Sequence, residues 1–195
     1  MRLIIGIGGA SGALYGIRLL EVLRDAPEVE THLVMSKTAR MNVGLETDWP
    51  LAEVEALADV VHKNTDIAAS VASGSFRTDG MIVAACSMKN LAGIVHGLAD
   101  DLLTRAADVV LKERRRLVLM PRETPLHLGH CEAMAAACRL GAIVAPPMPA
   151  LYARPASIDA MVTQTAVRVL DLFDLDLGLA ERWVGAARGT VRDAG

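Results

Sequence analysis

Leu3-Ile4-Ile5-Gly6-Ile7-Gly8-Gly9-Ala10-Ser11-Gly12 follows Met1-Arg2 at the start of the chain. Leu3–Ile7 carries no polar alternation, as expected of a strand covered on both faces. Glycines turn the chain, and from Ser11 to Leu23 the apolar residues Leu14, Ile17, Leu20 and Leu23 recur at helical spacing. The same unit then repeats. Thr31–Met35 reads as a second strand and Lys37–Glu46 as a helix. Met81–Ala85 is a third strand, followed by helices from about Lys89 and over Leu102–Leu111. Leu117–Met120 is a fourth strand, stopped by Pro121. Glu132–Leu140 is a helix that Gly141 ends. Ala142–Ala145 is a fifth strand, stopped by Pro146-Pro147, and Ile158–Phe173 is the last long helix. This alternation predicts an α/β protein, a doubly wound and mostly parallel sheet between helical layers. Residues 1–178 are expected to form its one domain. Periodicity weakens after Gly178, so 179–195 reads as a tail that leaves the domain body and packs on a neighbouring subunit.

Composition narrows the function. The chain has 195 residues, a net charge of −3, 52% hydrophobic residues and only two Trp, two Tyr and two Phe. The apolar fraction excludes disorder, and the length suits one domain. A mild negative charge and so few rings argue against nucleic acid. Three cysteines, Cys86, Cys131 and Cys138, make no disulfide framework and fit a reducing compartment. With no signal peptide and no apolar stretch of membrane-spanning length, the reading is a soluble cytoplasmic protein.

In such a sheet, ligands sit outside the carboxyl ends of the strands. The segments there are Gly8–Gly12, Ser36-Lys37, Cys86–Asn90, Pro121–Pro125 and Pro146–Pro155. Glycines and a helix N-terminus with free N–H groups suit a phosphate. The dinucleotide fingerprint is only approximated, because Ser11 takes the third glycine position and Ser36-Lys37 replaces the ribose-binding acid. A mononucleotide phosphate or a phosphorylated substrate fits better, and a plain structural turn stays open. Ser87 can cap the helix after the third strand. Cys86 reads as a buried, inert thiol. Pro121-Arg122-Glu123-Thr124-Pro125 sets a bidentate oxyanion binder and a carboxyl group in a rigid loop, a pairing suited to phosphate recognition beside proton transfer. A structural Arg122–Glu123 ion pair is the alternative. His127, His130 and Cys131 lack a matching metal-ligand set and read as helix-start residues. Arg114–Arg116 reads as a solvated face, and Lys112 stands out at the end of an apolar helix. Four prolines between Pro146 and Pro155 stiffen the loop that carries Tyr152. Arg168 is a lone cation among Val167, Val169 and Leu170.

Gly9-Ala10-Ser11-Gly12, Ser36-Lys37, Cys86-Ser87-Met88-Lys89, Arg105–Glu113, Pro121–Leu126 and Pro146–Tyr152 occur in one order. The chain thereby resembles the UbiX-like flavin prenyltransferases, including the flavoproteins associated with aromatic-acid decarboxylases, from Leu3 to about Trp183. The resemblance implies a flavodoxin-like, Rossmann-like three-layer fold and a dodecamer with sites between subunits. It implies metal-independent transfer of a dimethylallyl group from dimethylallyl phosphate to N5 and C6 of reduced FMN. The product, prenylated FMN, would serve a UbiD-like decarboxylase. By matching position, Gly9, Ala10, Ser11, Ser36, Ser87, Met88, Lys89, Asn90 and Arg122 would contact FMN. Lys112, Tyr152 and Arg168 would hold the donor phosphate. Glu123 would protonate the departing phosphate, Arg105 would lie near the flavin ring, Glu46 near the reacting end with Ser11, and Trp183 would close the pocket. Asn90 stands where the family often has Thr. Phe76 is expected to approach the same pocket. The alternatives are a non-catalytic FMN-carrying subunit of a decarboxylase complex, a peptidyl-cysteine decarboxylase of the same architecture, and last a nicotinamide dehydrogenase.

Overall fold

The computed structural model describes residues 1–185. Six strands, β1 (Arg2–Ile7), β2 (Glu30–Met35), β3 (Val60–Lys63), β4 (Gly80–Cys86), β5 (Arg116–Pro121) and β6 (Ile143–Val144), form one sheet in the order β3-β2-β1-β4-β5-β6. Every pairing is parallel. The helices are α1 (Ala13–Arg24), α2 (Lys37–Glu46), α3 (Leu51–Glu55), α4 (Met88–His96), α5 (Leu102–Lys112), α6 (Leu128–Leu140) and α7 (Ile158–Leu170). Strand order reverses between β2-β1 and β4-β5, so the switch point lies between β1 and β4.

Side chains alternate across each strand and build two cores. Leu3, Ile5, Ile7, Leu33 and Ile82 pack under α1 and α7 with Ile17, Leu20, Val167 and Leu170. Ile4, Val34, Met81, Val83 and Leu119 pack under α4 and α5 with Leu91, Leu103 and Val110. Covering both faces removes any reason for polar alternation, hence the unbroken apolar runs. Each such side chain contributes about 1.5–3 kcal/mol through burial, and the cores are almost wholly aliphatic, Phe173 being the buried ring. Among the described residues no helix is long and apolar enough to cross a membrane.

Three expectations change. The sheet has a sixth strand, β3, at its edge. Val60 and His62 are half-buried while Val61 and Lys63 are exposed, a weak pattern that a partly solvated edge strand produces. Helix α6 begins at Leu128, with His127 as its N-cap residue, rather than at Glu132. Of the segment after Gly178, the described residues 179–185 are tied to α7 and the turn after it. Gln164 on α7 bonds Glu181 twice, and Arg182 reaches Asp171 and Asp176. Trp183 stays exposed there, and the rest of the expected tail, 186–195, lies outside the described residues.

Candidate functional site

At the carboxyl end of β1 the chain passes very close to its neighbours. The Gly8 N–H donates to the Ala85 carbonyl at 3.0 Å. A Cβ on Gly8 would stand 2.5 Å from that oxygen and 2.8 Å from Asn90 Oδ1. Gly12 adopts a left-handed φ of 106°, which suits glycine, and starts α1. The loop between them is gripped from α2. Asn42 Nδ2 donates to the carbonyls of Gly9 and Ala10 at 3.3 and 3.1 Å. One turn on, the Glu46 carboxylate accepts the N–H groups of Gly12 and Ala13 at 2.8 and 3.2 Å. This corrects the sequence reading of α1 as a helix with free N-terminal amides: Glu46 already occupies that anion-favouring end. The Ser11 hydroxyl and the N–H groups of Ala10 and Ser11 have no hydrogen-bond partner among the described residues.

The other carboxyl-end segments are positioned by caps. Ser36 Oγ accepts the Ala39 N–H at 3.0 Å and keeps its own proton to donate. Ser87 Oγ accepts the Asn90 N–H and donates to Asn90 Oδ1 at 2.7 Å, so its one proton is engaged. Asn90 is 4% exposed and wedged against Gly8. It fills the space between the β1 and β4 loops, a role that sequence alone did not disclose. Met88 is half-buried and Lys89 exposed on the same first turn of α4. Cys86 is fully buried, and burial pushes its thiol up to about 12, so it is an inert core group. Arg122 and Glu123 project from the β5 loop into solvent. The Arg122 N–H is tied to the Cys86 carbonyl at 3.2 Å, and Glu123 Oε1 accepts the Thr124 N–H at 3.1 Å. No Arg122–Glu123 ion pair forms among the described residues.

A groove of about 380 Å³ lies between the loop after β6 and α7. Its walls include Met148, Tyr152, Gln164, Arg168 and Leu172, so Tyr152 and Arg168 come together as expected. Trp183 meets Tyr152 edge to face at 6.0 Å. Arg168 is not a lone cation: it is ion-paired with Asp171, which Arg182 also holds.

Lys112 and Arg105 stand elsewhere. Lys112 ends α5, just before β5 begins at Arg116, opposite Gly80 at the start of β4. It is therefore at the amino edge of the sheet, ion-paired with Glu113, whose carboxyl it holds below the usual range. Arg105 bonds the Ala72 carbonyl and Asp108 on the outer side of α5. Phe76 is also displaced from the expected pocket. It packs against His32 at 5.3 Å and under the Arg2 guanidinium at 4.4 Å. Arg115 corrects the solvated-face reading of Arg114–Arg116, since it pins the carbonyls of Gly74 and Phe76. Among the described residues no group of three or more His, Cys, Asp or Glu is placed to hold a metal. Sequence reasoning missed Asn42 and Gln164. Thr38, Asn42 and Glu46 recur every fourth residue on α2, a polar stripe beside the buried pair Ala39 and Val43, and that spacing was the available signal.

A parallel sheet with glycine-rich and capped loops at its switch point, beside a cationic and aromatic groove, defines a phosphate-ligand-binding α/β protein. Comparison gives its family. The Flavoprotein family model matches residues 1–170. The chain is 61% identical to flavin prenyltransferase UbiX of Escherichia coli strain K12 over 187 residues, 95% of this chain and 99% of that one. The dodecameric FMN-dependent UbiX-like decarboxylase of Escherichia coli O157:H7 superposes with a TM-score of 0.93 at 55% identity, covering 95% of this chain and all of the other. AnUbiX (PadA1), crystallised with FMN and dimethylallyl pyrophosphate, gives a TM-score of 0.93 at 53% identity, over 95% of this chain and 98% of its own. The chain belongs to the Flavoprotein family and, within it, to the UbiX-like flavin prenyltransferases.

Proposed function

We propose that this chain transfers a dimethylallyl group from dimethylallyl phosphate to reduced FMN, making prenylated FMN for a UbiD-like decarboxylase. The observation that carries this reading is the Tyr152–Arg168 groove together with unbonded loop amides at Ala10 and Ser11, in a chain 53% identical to a protein crystallised with FMN and dimethylallyl pyrophosphate. Reduced FMN, when bound, supplies N5 and C6 as the positions that accept the prenyl group.

The protein residues do the rest. Gly9, Ala10, Ser11, Ser36, Met88, Lys89 and Arg122 are the FMN-holding set, with amides, the Ser36 hydroxyl and two cations matched to an anionic ligand. Ser87 supports that set by holding Asn90 in register, and the Asn90 Nδ2 group, which has no partner among the described residues, is left to donate to the ligand. Breaking the allylic C–O bond puts negative charge on the leaving phosphate. Arg168 and Tyr152 supply donors there. Glu123, in its acid form, can give a proton to the departing phosphate. Tyr152 and Trp183 present π-faces that suit an allylic cation, and a closed pocket keeps water from it.

Lys112 and Arg105 serve this chemistry from a second copy of the chain, because in their own chain they lie off the crevice. The dodecamer of the Escherichia coli O157:H7 relative supports such sharing, and the exposed Trp183 is a natural contact for it. Glu46 is assigned to holding α1 and, through it, Ser11. Three cysteines without a disulfide among them support a cytoplasmic setting.

Anaerobic incubation with reduced FMN and dimethylallyl phosphate should yield a covalent flavin adduct by mass spectrometry. Bound FMN without any adduct, with stable co-purification of a large decarboxylase, would instead establish the non-catalytic carrier.

A further inference from the structure

We infer that Asn42 is a positioning residue for the flavin, acting through the peptide planes of the β1–α1 loop and not by touching the ligand. This rests on the flavin reading above.

A trans peptide unit is planar, with its carbonyl and N–H pointing in opposite directions. Asn42 Nδ2 draws the Gly9 and Ala10 carbonyls toward α2, at 3.3 and 3.1 Å. The N–H groups of Ala10 and Ser11 belong to those same two peptide units, so they are turned away from α2. Neither finds a partner among the described residues. The next two amides along the chain, Gly12 and Ala13, are claimed by Glu46.

These four N–H groups fall into two sorted pairs. One pair is satisfied by a carboxylate, and the other is held outward for a ligand with acceptor atoms. An acceptor-rich flavin matches the outward pair. Gly9 allows the arrangement, since a Cβ there would come within 2.9 Å of the Thr38 side chain. Asn is suited to the role because its amide donates two hydrogens to two carbonyls. A carboxylate in its place would repel both oxygens and drive the peptide planes to turn.

The test compares wild type with Asn42→Asp and Asn42→Ala. FMN affinity is read by fluorescence titration, bound flavin by visible circular dichroism, and folding by melting temperature and oligomer mass. Asn42→Asp should weaken FMN binding about tenfold or more and alter the flavin dichroism, with oligomer mass unchanged. Asn42→Ala should weaken binding less, because it removes the donor without adding repulsion. An Asn42→Asp protein that binds FMN with wild-type affinity and dichroism overturns the assignment. So does loss of folded protein in both variants, which would make Asn42 a stability residue. If the wild type itself binds no FMN, the flavin reading falls, and the assignment falls with it.

Discussion

Gln164 and Glu181 exchange two hydrogen bonds of 2.8 Å, the Gln164 amide donating to the Glu181 carbonyl and accepting its N–H. Gln164 is 5% exposed, so this pair works as a rivet between α7 and the segment that carries Trp183. Gln164→Ala should cost about 1–3 kcal/mol by removing both hydrogen bonds. It should also release Trp183 from Tyr152. The expected outcome is a raised KM for dimethylallyl phosphate with FMN affinity unchanged, and faster proteolysis near Glu181.

Gly8 allows no side chain. Gly8→Ala would place a methyl 2.5 Å from the Ala85 carbonyl, where backbone would have to move. A loss of about 1–3 kcal/mol is expected from such overpacking. Because the shift disturbs the β1 and β4 loops at once, FMN binding should fall with it. Chemical denaturation and flavin titration on the same protein check both.

Glu123 projects from the β5 loop with only a local contact to the Thr124 N–H. Glu123→Gln keeps the shape and removes the transferable proton. Prenyl transfer should slow by about 10²-fold or more, with FMN affinity near wild type. Single-turnover kinetics by mass spectrometry measures it. Loss of FMN binding instead would reassign Glu123 to a structural role.

Acidification should destabilise the fold through the Arg2–Glu30–His32–His62 cluster. His62 packs on His32 with nitrogens 2.8 Å apart, and burial followed by the His32 charge lowers its pKa from the ordinary 6.5. Glu30 is lowered from 4.5 by hydrogen bonds from Arg2 and His32. For both groups the unfolded chain binds protons first. Their stabilisation is present above the unfolded pKa and is lost as pH falls through the folded one. Melting temperature should therefore drop first below about pH 6.5 and again below about pH 4.5. His62→Gln should flatten the first step.

The parallel sheet and its covering helices were legible because unbroken apolar runs and glycine or proline stops are local signals, whereas the strand order β3-β2-β1-β4-β5-β6 came only from the structure. Lys37–Glu46 was bounded correctly, and the structure adds Ser36 as its cap. The edge strand β3 was not legible, since a four-residue strand with exposed Val61 and Lys63 resembles a loop. Asn42 hid for a related reason: polar residues on an amphipathic helix usually face water, and the Thr38–Asn42–Glu46 stripe, the one local signal, does not say what it faces.

Leu3–Leu23 by itself determined a buried strand, a close turn and a helix, because backbone sterics and apolar periodicity act over a few residues. It also determined that the turn would need glycine. What the turn offers a ligand was decided only in three dimensions. Glu46, 34 residues from Gly12, takes the amides that the sequence left free, and Asn42 orients the next pair. Hydrogen bonds between segments so far apart depend on how α2 packs beside α1. That packing is set by the whole sheet.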